Sequence, residues 1–306
     1  MLVALAGGVG AAKLLRGLVA VVPPSDITAV VNTGDDVVLH GLHVSPDLDT
    51  VTYTLAGAVN PETGWGLTGE TWAAMEALDR YGGLTWFRLG DRDLATHLYR
   101  TQRLRDGATL STAAREIGEA WSLGLHLLPM SDDRVETRVT VAGEGEIGFQ
   151  EYFVQRRHSV PITGVRFVGA EAAKPAPGVL DALAEASRVV FCPSNPIVSI
   201  GPILAVPGIR EAVAARRDDT VAVSPIVAGA ALKGPADRML TELGQEASVA
   251  GVARLYAPLA ATLVVDTADA ARAEEVEAAG MRCVVAPTVM RTAEDAAALA
   301  RTVLSC

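Results

Sequence analysis

The stretch that decides the fold is LVALAGGVGAAK, Leu2 to Lys13, in which a short apolar run breaks into a glycine cluster and continues as a helix. Glycine lacks a Cβ, so the backbone can tighten and bring its N–H groups to a diphosphate, and the helix N-terminus that follows adds positive potential. The stretch predicts the first strand and the phosphate-binding turn of a nucleotide-binding α/β fold.

This turn matches neither of the two common nucleotide-binding fingerprints. A dinucleotide-binding G-x-G-x-x-G aligned on Gly8 and Gly10 would need glycine where Lys13 stands. A P-loop would need Gly-Lys-Ser/Thr where the chain reads Ala-Lys-Leu. A phosphate is therefore expected while the nucleotide stays open, and a glycine-rich turn that binds no ligand is the alternative.

Composition narrows the class of protein. The 306 residues are 50% hydrophobic and 20% charged, which is typical of a globular enzyme with a large core. A net charge of −10 argues against nucleic acid or an anionic membrane as partner. Three cysteines without metal-site spacing favour a reducing compartment, the cytoplasm. Glycines interrupt the N-terminal apolar run, so neither a signal peptide nor a membrane-spanning helix is expected.

Six apolar, β-branched runs recur along the chain with helical patterns between them. Continuous apolarity is typical of strands buried on both faces, as in a parallel sheet covered by helices. The predicted strands are 2–6, 27–31, 188–192, 220–224, 262–266 and 282–286. The predicted helices include 11–21, 178–186, 208–217, 268–279 and 292–304. The expected fold class is α/β: a Rossmann-like, mostly parallel sheet with helices on both faces.

The middle of the chain has a different pattern. Helical patterns follow one another over about 69–124 without strands, with Ser111 as the expected N-cap of the last helix and Asp91 as that of the helix before it. Residues 134–143 and 149–156 indicate a small antiparallel or edge element.

No linker or internal repeat divides the sequence. We therefore expect one α/β domain over residues 1–306, in which residues 65–160 form a mainly helical insertion that acts as a lid over the crevice.

Ligands of open parallel sheets bind beyond the carboxyl ends of the strands, which directs attention to the loops there. The second predicted strand runs into Asn-Thr-Gly-Asp-Asp, where Asn32 falls about where such folds place a ribose contact. Asp35 and Asp36 are adjacent and point in different directions, so at most one of them is expected to face a ligand or a metal.

The run SPDLDT adds Asp47 and Asp49, which would share one face of an extended segment. Oxygen-rich sites suit Mg²⁺ beside substrate phosphates, although an Asp-rich turn shaped by Pro46 would give the same pattern. His40 and His43 would bind one metal only on a helix, which the glycine between them disfavours, so packing or hydrogen bonding is expected.

Two further loops carry candidate ligand contacts. Arg88 follows two aromatic residues just before a turn, so its guanidinium is predicted to hold a phosphate or to stack on a flat ring. Ser194 and Asn195, between two prolines, present a hydroxyl and an amide to a base or phosphate, with a plain turn as the alternative. Ser194 lacks a nucleophile elbow. Lys233 is an isolated cation that also could reach a phosphate.

Taken together, these motifs resemble the 2-phospho-L-lactate transferase family, whose actinobacterial members use the phosphoenolpyruvyl analogue. The resemblance extends from Leu2 to about Pro235 and is carried, in order, by AGGVGAAKLLRGL, VVNTGDDVVLHGLHVSPDLDTVTYTLAG, GWGLTGETW, WFRLGDRDLATHLYRT and FCPSNPIVSIGPIL. It implies transfer of a phospholactyl or phosphoenolpyruvyl group from a guanosine diphosphate-linked donor to the ribityl hydroxyl of the deazaflavin Fo. The reaction would release GMP, require Mg²⁺ and serve the synthesis of coenzyme F-420.

The resemblance also implies roles for residues and an assembly. Asp49 and Arg88 would be the catalytic pair that contacts Fo, with Asp49 orienting or deprotonating the attacking hydroxyl. The donor would be bound by Gly7, Gly8, Gly10, Lys13, Asn32, Ser194 and Asn195, and the metal by Asp35, Asp36 or Asp49. The resemblance further implies that the protein is a transferase for substituted phosphate groups and that it forms a homodimer.

Two other classes stay open. Sugar-nucleotide-binding regulatory proteins of the gluconeogenesis-factor type share the glycine turn and an Asn-Thr-x-Asp-Asp loop, and they sense ligands without transforming them. Their loop typically continues with a glycine-rich, arginine-containing stretch, whereas VVLHGLHVSPDLDT here favours the transferase. A nicotinamide-dependent dehydrogenase is disfavoured by Lys13 in place of the third glycine and by the lack of an obvious hydride-transfer acid.

Overall fold

The computed structural model describes residues 1–306. Its strands are β1 (Leu2–Ala6), β2 (Ile27–Val31), β3 (Val37–Leu39), β4 (Leu42–Val44), β5 (His126–Pro129), β6 (Glu136–Val141), β7 (Gly145–Gly148), β8 (Ile162–Val168), β9 (Arg188–Phe191), β10 (Thr220–Val223), β11 (Ile226–Val227), β12 (Ala230–Ala231), β13 (Thr262–Val265) and β14 (Arg282–Val285).

Twelve α-helices accompany these strands. They are α1 (Gly8–Val19), α2 (Pro46–Leu55), α3 (Ala73–Arg80), α4 (Asp93–Arg105), α5 (Leu110–Ala120), α6 (Val179–Glu185), α7 (Gly201–Ala205), α8 (Ile209–Ala214), α9 (Ala236–Glu242), α10 (Val249–Tyr256), α11 (Ala273–Ala278) and α12 (Ala293–Ser305). Single π-helical turns span Glu151–Gln155 and Pro196–Ile200, and 3₁₀ turns span Pro24–Asp26, Ala170–Ala172, Arg217–Asp219 and Thr267–Arg272.

Seven strands form the central sheet in the order β14-β13-β10-β9-β1-β2-β5, and every neighbouring pair is parallel. The α/β class and all six predicted strands are confirmed. The seventh strand, β5, was not predicted, because its sequence HLLP is short and ends in proline. Proline is tolerated there because β5 is an edge strand.

Helices cover both faces of this sheet, as predicted. Along β1, Val3 and Leu5 pack into the apolar core that includes α6 to α11, whereas Leu2, Ala4 and Ala6 pack into the core that includes α1, α2, α5 and α12. Every residue of β1 is buried, which explains why its sequence is continuously apolar.

The strand order reverses direction at β1. From β1 the sheet continues to β2 and β5 on one side, and to β9, β10, β13 and β14 on the other. The loops that leave the carboxyl ends of β1 and β9 therefore diverge, and the crevice between them is where ligands of such sheets bind. The glycine turn follows β1, and Pro193 and Ser194 follow β9.

The predicted insertion, residues 65–160, contains α3, α4 and α5 but also β5, which belongs to the central sheet. Strands β6 and β7 also lie within 65–160 and form a small antiparallel sheet with β8, so an antiparallel element is confirmed at 134–143. The stretch 149–156 is not part of that sheet. It contains the π-helical turn Glu151–Gln155, in which Tyr152 is fully buried. The insertion's role as a lid stays a prediction. No helix is long and apolar enough to cross a membrane.

Two predicted helix caps are wrong. Thr109, not Ser111, caps α5, and Ser111 instead bonds to the Asp132 carboxylate. Asp91 accepts hydrogen bonds from two N–H groups in the first turn of α3, while Glu70 accepts those at the start of α4. Helices α3 and α4 are thus each capped by an acid that precedes the other helix, which spacing along one helix could not indicate.

Candidate active site

A cavity of about 320 Å³ lies at the reversal point of the sheet. Its wall contains four carboxylates and only two side chains of lysine or arginine, Arg88 and Lys233. Of the predicted site residues, the wall includes Gly7, Gly8, Gly10, Asp35, Asp49, Arg88, Ser194 and Asn195. Lys13, Asn32 and Asp36 do not line it.

The glycine turn is packed tightly against the loop that follows β9. A Cβ on Gly10 would overlap the carbonyl oxygen of Pro193, and a Cβ on Gly7 would lie 2.6 Å from the Cβ of Ser199. The Gly7 N–H donates to the Ser194 hydroxyl over 3.3 Å. Glycine is therefore required for the approach of two backbones, and Ser194 acts first as a support of the turn.

Asn195, predicted at the ligand with Ser194, also has a structural task. Its Oδ1 accepts from the Ile197 N–H at 2.9 Å and so caps the π-helical turn Pro196–Ile200, while the residue still lines the cavity.

The two lysines near the turn differ in where they point. Lys13, predicted to contact phosphate, lies on α1 and donates over 3.0 Å to the carbonyl oxygen of Met290, outside the cavity wall. Lys233 lines the cavity and donates to the carbonyl oxygen of Thr63. The cation at the cavity is therefore Lys233 rather than Lys13.

A buried amide joins two carboxylates beside the glycine turn. The Nδ2 of Asn32 donates to Asp35 over 2.8 Å and to Asp47 over 2.9 Å. Asp47 and Asp49 lie in the first turn of α2, not in an extended segment, so they do not share a face as expected. Asp47 points toward the glycine turn and pairs with Asp35, whereas Asp49 points toward α4.

This pair of carboxylates lacks a counter-charge. Burial and the neighbouring charges of Asp47 and Asp36 raise the pKa of Asp35 well above its usual range. Burial raises the pKa of Asp47 to about 6, although hydrogen bonds from Asn32 and the Gly8 N–H oppose the change. Two carboxylates that share one neutral donor fit a hard divalent cation such as Mg²⁺, which prefers oxygen ligands and would relieve their repulsion.

Asp36, a predicted metal ligand, points away from this pair. Its Oδ2 accepts from the Ser45 hydroxyl at 2.6 Å, and its Oδ1 is buried without a partner. Burial raises its pKa well above the usual range. Two adjacent aspartates predict at most one side chain at the ligand, and of the two only Asp35 lines the cavity.

Asp49 belongs to a second buried network. Both of its oxygens contact the Arg100 guanidinium, one of them over 3.2 Å, and the Nδ1 of His97 lies 3.6 Å from its Oδ2. The Nε2 of His97 lies 3.3 Å from Asp93, without the alignment of a hydrogen bond, and the Tyr53 hydroxyl donates to Asp93 over 2.5 Å. All five side chains are nearly or fully buried.

Electrostatics separate the two acids of this network. Burial raises the pKa of Asp49, and the Arg100 charge opposes it without reversing it. Burial also acts to raise the pKa of Asp93, but the close contact with His97 and the hydrogen bond from Tyr53 outweigh it, so the pKa is lowered. An Asp49 held by both oxygens on a fixed guanidinium is suited to orient a hydroxyl donor.

Ligand atoms of Asp49, Asp93 and His97 lie within 4.8 Å of one another, close enough to share a metal. However, Arg100 already supplies the positive charge there, and an imidazole is a poorer ligand for Mg²⁺ than oxygen. The pair Asp35 and Asp47 fits Mg²⁺ better.

Sequence reasoning did not find Arg100, His97 or Asp93, although a signal was present. The three residues recur at i, i+4 and i+7 of a helix that was predicted, so they share one face of α4. Arg100 is 1% exposed, and a buried arginine needs a partner.

Part of the cavity wall is aromatic. The Arg88 guanidinium lies 4.2 Å from the ring centroid of Trp72, and Phe87 beside it lines the cavity. Phe149 and Phe153, also in the wall, stack at 5.5 Å with planes 10° apart. These side chains offer flat surfaces and one exposed cation to a planar anionic or polar ligand.

A family model described as 2-phospho-L-lactate transferase CofD matches residues 2–300. The chain belongs to this family. Proteins named phosphoenolpyruvate transferase are 53% identical to it in Streptomyces griseus, over 99% of this chain and 97% of the relative. The relative in Kitasatospora aureofaciens is 51% identical over 99% of this chain and 97% of its own length. The relative in Mycolicibacterium smegmatis is 42% identical over 97% of this chain and 95% of its own length.

Membership of the 2-phospho-L-lactate transferase family makes the chain a transferase enzyme. A crystal structure of a UPF0052 family member from Bacillus halodurans has the same fold, with a TM-score of 0.63 and 17% identity over 99% of this chain and 98% of the other. At that identity the likeness concerns the fold alone.

Proposed function

We propose that this enzyme transfers a phosphoenolpyruvyl or 2-phospho-L-lactyl group from a guanosine diphosphate-linked donor to the ribityl hydroxyl of Fo, with release of GMP. The product would be coenzyme F-420-0 or its dehydro form. The observation that carries the proposal is that one cavity is lined by the glycine turn, by a pair of uncompensated carboxylates, by aromatic side chains and by Asp49, which is held from behind by Arg100. Family membership over residues 2–300 supports the same reaction.

Of the two donors, we favour the enolpyruvyl compound. The relatives described above, at 42–53% identity, bear the name phosphoenolpyruvate transferase. The two donors differ by one reduction in the acyl part, and competition between them in one reaction mixture measures the preference directly.

For the donor, the glycine turn supplies backbone N–H groups and the N-terminus of α1, which suit a diphosphate. Asp35 and Asp47 would hold Mg²⁺, whose contribution is to neutralise charge on phosphate oxygens. Asn32 fixes both carboxylates through one amide, so its proposed role is to position the metal ligands rather than to contact ribose.

For the acceptor, Asp49 would accept a hydrogen bond from the attacking hydroxyl of Fo while Arg100 fixes the carboxylate. Both oxygens of Asp49 are in contact with the guanidinium, which favours orientation of the hydroxyl over outright removal of its proton. Arg88 and the aromatic wall would bind the flat deazaflavin. In-line transfer in this arrangement needs no covalent enzyme intermediate.

The reaction is tested by incubating the protein with Fo, Mg²⁺ and each guanylylated donor and measuring GMP by chromatography. GMP and a charged deazaflavin product are expected, and their formation should depend on Fo. A folded protein that binds the donor and releases no GMP above the control without Fo would refute the transferase reaction and favour a ligand sensor.

We also propose a cytoplasmic homodimer that requires Mg²⁺. Light scattering coupled to size-exclusion chromatography measures the assembly, and activity after chelation and readdition of Mg²⁺ measures the metal requirement. A monomer, or full activity in chelator, would contradict these two points separately.

A further inference from the structure

The charge of the cavity wall poses a problem for any diphosphate donor. Asp35, Asp47, Asp49 and Asp93 all line the cavity. Arg100 compensates Asp49, but it does not line the cavity. A diphosphate at the glycine turn therefore needs a cation from the wall itself, in addition to any metal.

Lys233 is placed at that turn. Its Nζ donates to the Thr63 carbonyl, and a Cβ built on Gly64 would lie 3.0 Å from this Nζ and 3.3 Å from a methyl of Val9. Val9 is part of the glycine turn. The segment 60–66 and Lys233 thus meet directly over the turn, and Trp65 from the same segment lines the cavity.

The surroundings of Lys233 hold it as an uncompensated cation. The chain has three lysines, Lys13, Lys174 and Lys233, and none of them pairs with a carboxylate. Burial, and then the charge of Lys13, lower the pKa of Lys233. The Lys233 ammonium group therefore lacks a counter-charge beside a turn that offers backbone N–H groups, and an anion between the turn and segment 60–66 would stabilise it.

The partners of the two lysines distinguish their roles. Lys13 donates to the carbonyl of Met290, a buried residue in the loop that follows β14. Neither residue lines the cavity. Lys233 is only partly buried, and its one hydrogen-bond partner is a backbone carbonyl of a surface segment. An ammonium group has three donors, so Lys233 can bind a phosphate oxygen and keep Thr63 at the same time.

We propose that Lys233 binds the diphosphate of the guanosine-linked donor and, through its bond to Thr63, holds residues 60–66 over the bound donor. This assignment rests on the proposed function and adds a binding residue to it. Lys233 acts as a point charge on the diphosphate and takes part in no bond-making step.

The test is Lys233→Met, which removes the charge and keeps an unbranched side chain. Guanosine diphosphate with Mg²⁺ and guanosine alone are titrated into each variant by calorimetry. Loss of a charge-assisted hydrogen bond predicts affinity for the diphosphate about 10- to 150-fold weaker, with guanosine affinity unchanged. Lys233→Arg should recover part of the loss. Lys174 is exposed and does not line the cavity, so Lys174→Met is the matched control.

Two results would overturn the assignment. One is a Lys233→Met protein that binds guanosine diphosphate as tightly as the wild type. If the wild type also releases GMP from donor and Fo, the proposed function stands and Lys233 is not part of the donor site. The other is an equal loss for guanosine and guanosine diphosphate, which would show a role in nucleoside binding or in shaping the loop. Absence of both GMP release and nucleotide binding in the wild type would instead refute the proposed function itself.

Discussion

Replacing Asp47 with asparagine is expected to stabilise the metal-free protein. Burial raises the pKa of this carboxyl from its ordinary 3.8 to about 6, so the ionised form is disfavoured in the folded state. At 1.36 kcal/mol per pKa unit, the ionised carboxylate lowers the free energy of unfolding by about 3 kcal/mol at pH 7.5. Because a raised acidic pKa carries no penalty once the group is protonated in both states, the gain from asparagine should fall to about 1 kcal/mol at pH 4.5.

Urea unfolding of both proteins in chelator, at pH 7.5, 6.0 and 4.5, measures this difference. Comparing the two proteins at each pH cancels titrations that do not depend on Asp47, such as that of His43, whose burial lowers its pKa to about 4. Mg²⁺ should then stabilise the wild type and leave the asparagine variant nearly unchanged, since only the wild type keeps both proposed ligands. Asp93→Asn is the control: its pKa is lowered, so the same chemical change should destabilise the protein at pH 7.5.

The reasoning fails if Asp47→Asn is no more stable than the wild type at pH 7.5 in chelator, or if its advantage grows as the pH falls. The first result would mean that the carboxylate is already compensated without metal. The second would reverse the sign of the linkage.

Four further predictions concern single residues. Arg100→Met should lower the free energy of unfolding by about 3–5 kcal/mol, because Asp49 would be left buried without its cation, and a loss below about 1 kcal/mol in urea would contradict this. Asp49→Asn should lower kcat at least ~100-fold with an unchanged circular dichroism spectrum; retained activity would remove it from the site. Gly10→Ala should weaken binding of guanosine diphosphate and destabilise the turn, whereas Gly118→Ala in α5, where the nearest atom would be 3.8 Å away, should be neutral or stabilising by up to about 1 kcal/mol. Arg88→Ala should raise KM for Fo and leave KM for the donor unchanged, and an equal effect on both would place it elsewhere in the reaction.

The sheet could be predicted from the sequence wherever burial on both faces makes a strand continuously apolar. The runs at 2–6 and 188–192 carry that signal, and both strands form. The edge strand β5 lacks it, since His126 is exposed and Pro129 cannot donate to a neighbour.

Candidate site residues could be predicted where the backbone itself presents them. A glycine cluster directly after a first strand predicts a ligand-binding turn, and Gly7, Gly8 and Gly10 do line the cavity. The direction of a long side chain depends on distant parts of the fold: Lys13 bonds to Met290, 277 residues further on. No local pattern carries that information.

The hydrogen-bond and ion-pair partners of the carboxylates could not be predicted from the sequence either. The Asp47 and Asp49 spacing suggested a shared face, but Pro46 begins a helix there, and helical spacing turns the two side chains apart. Their separate partners, Asn32 on one side and Arg100 on the other, come from other elements of the fold.

The position of β1 in the sheet has a consequence for the chain during synthesis. β1 pairs with β2 on one side and with β9, which begins at Arg188, on the other. A ribosome that adds 5–20 residues per second takes about 8–30 s to travel from the end of β2 to β9. For that time a wholly apolar strand has one unpaired edge, which is the kind of surface that aggregates. We therefore expect the nascent chain to be more prone to aggregation before β9 has been made than after it.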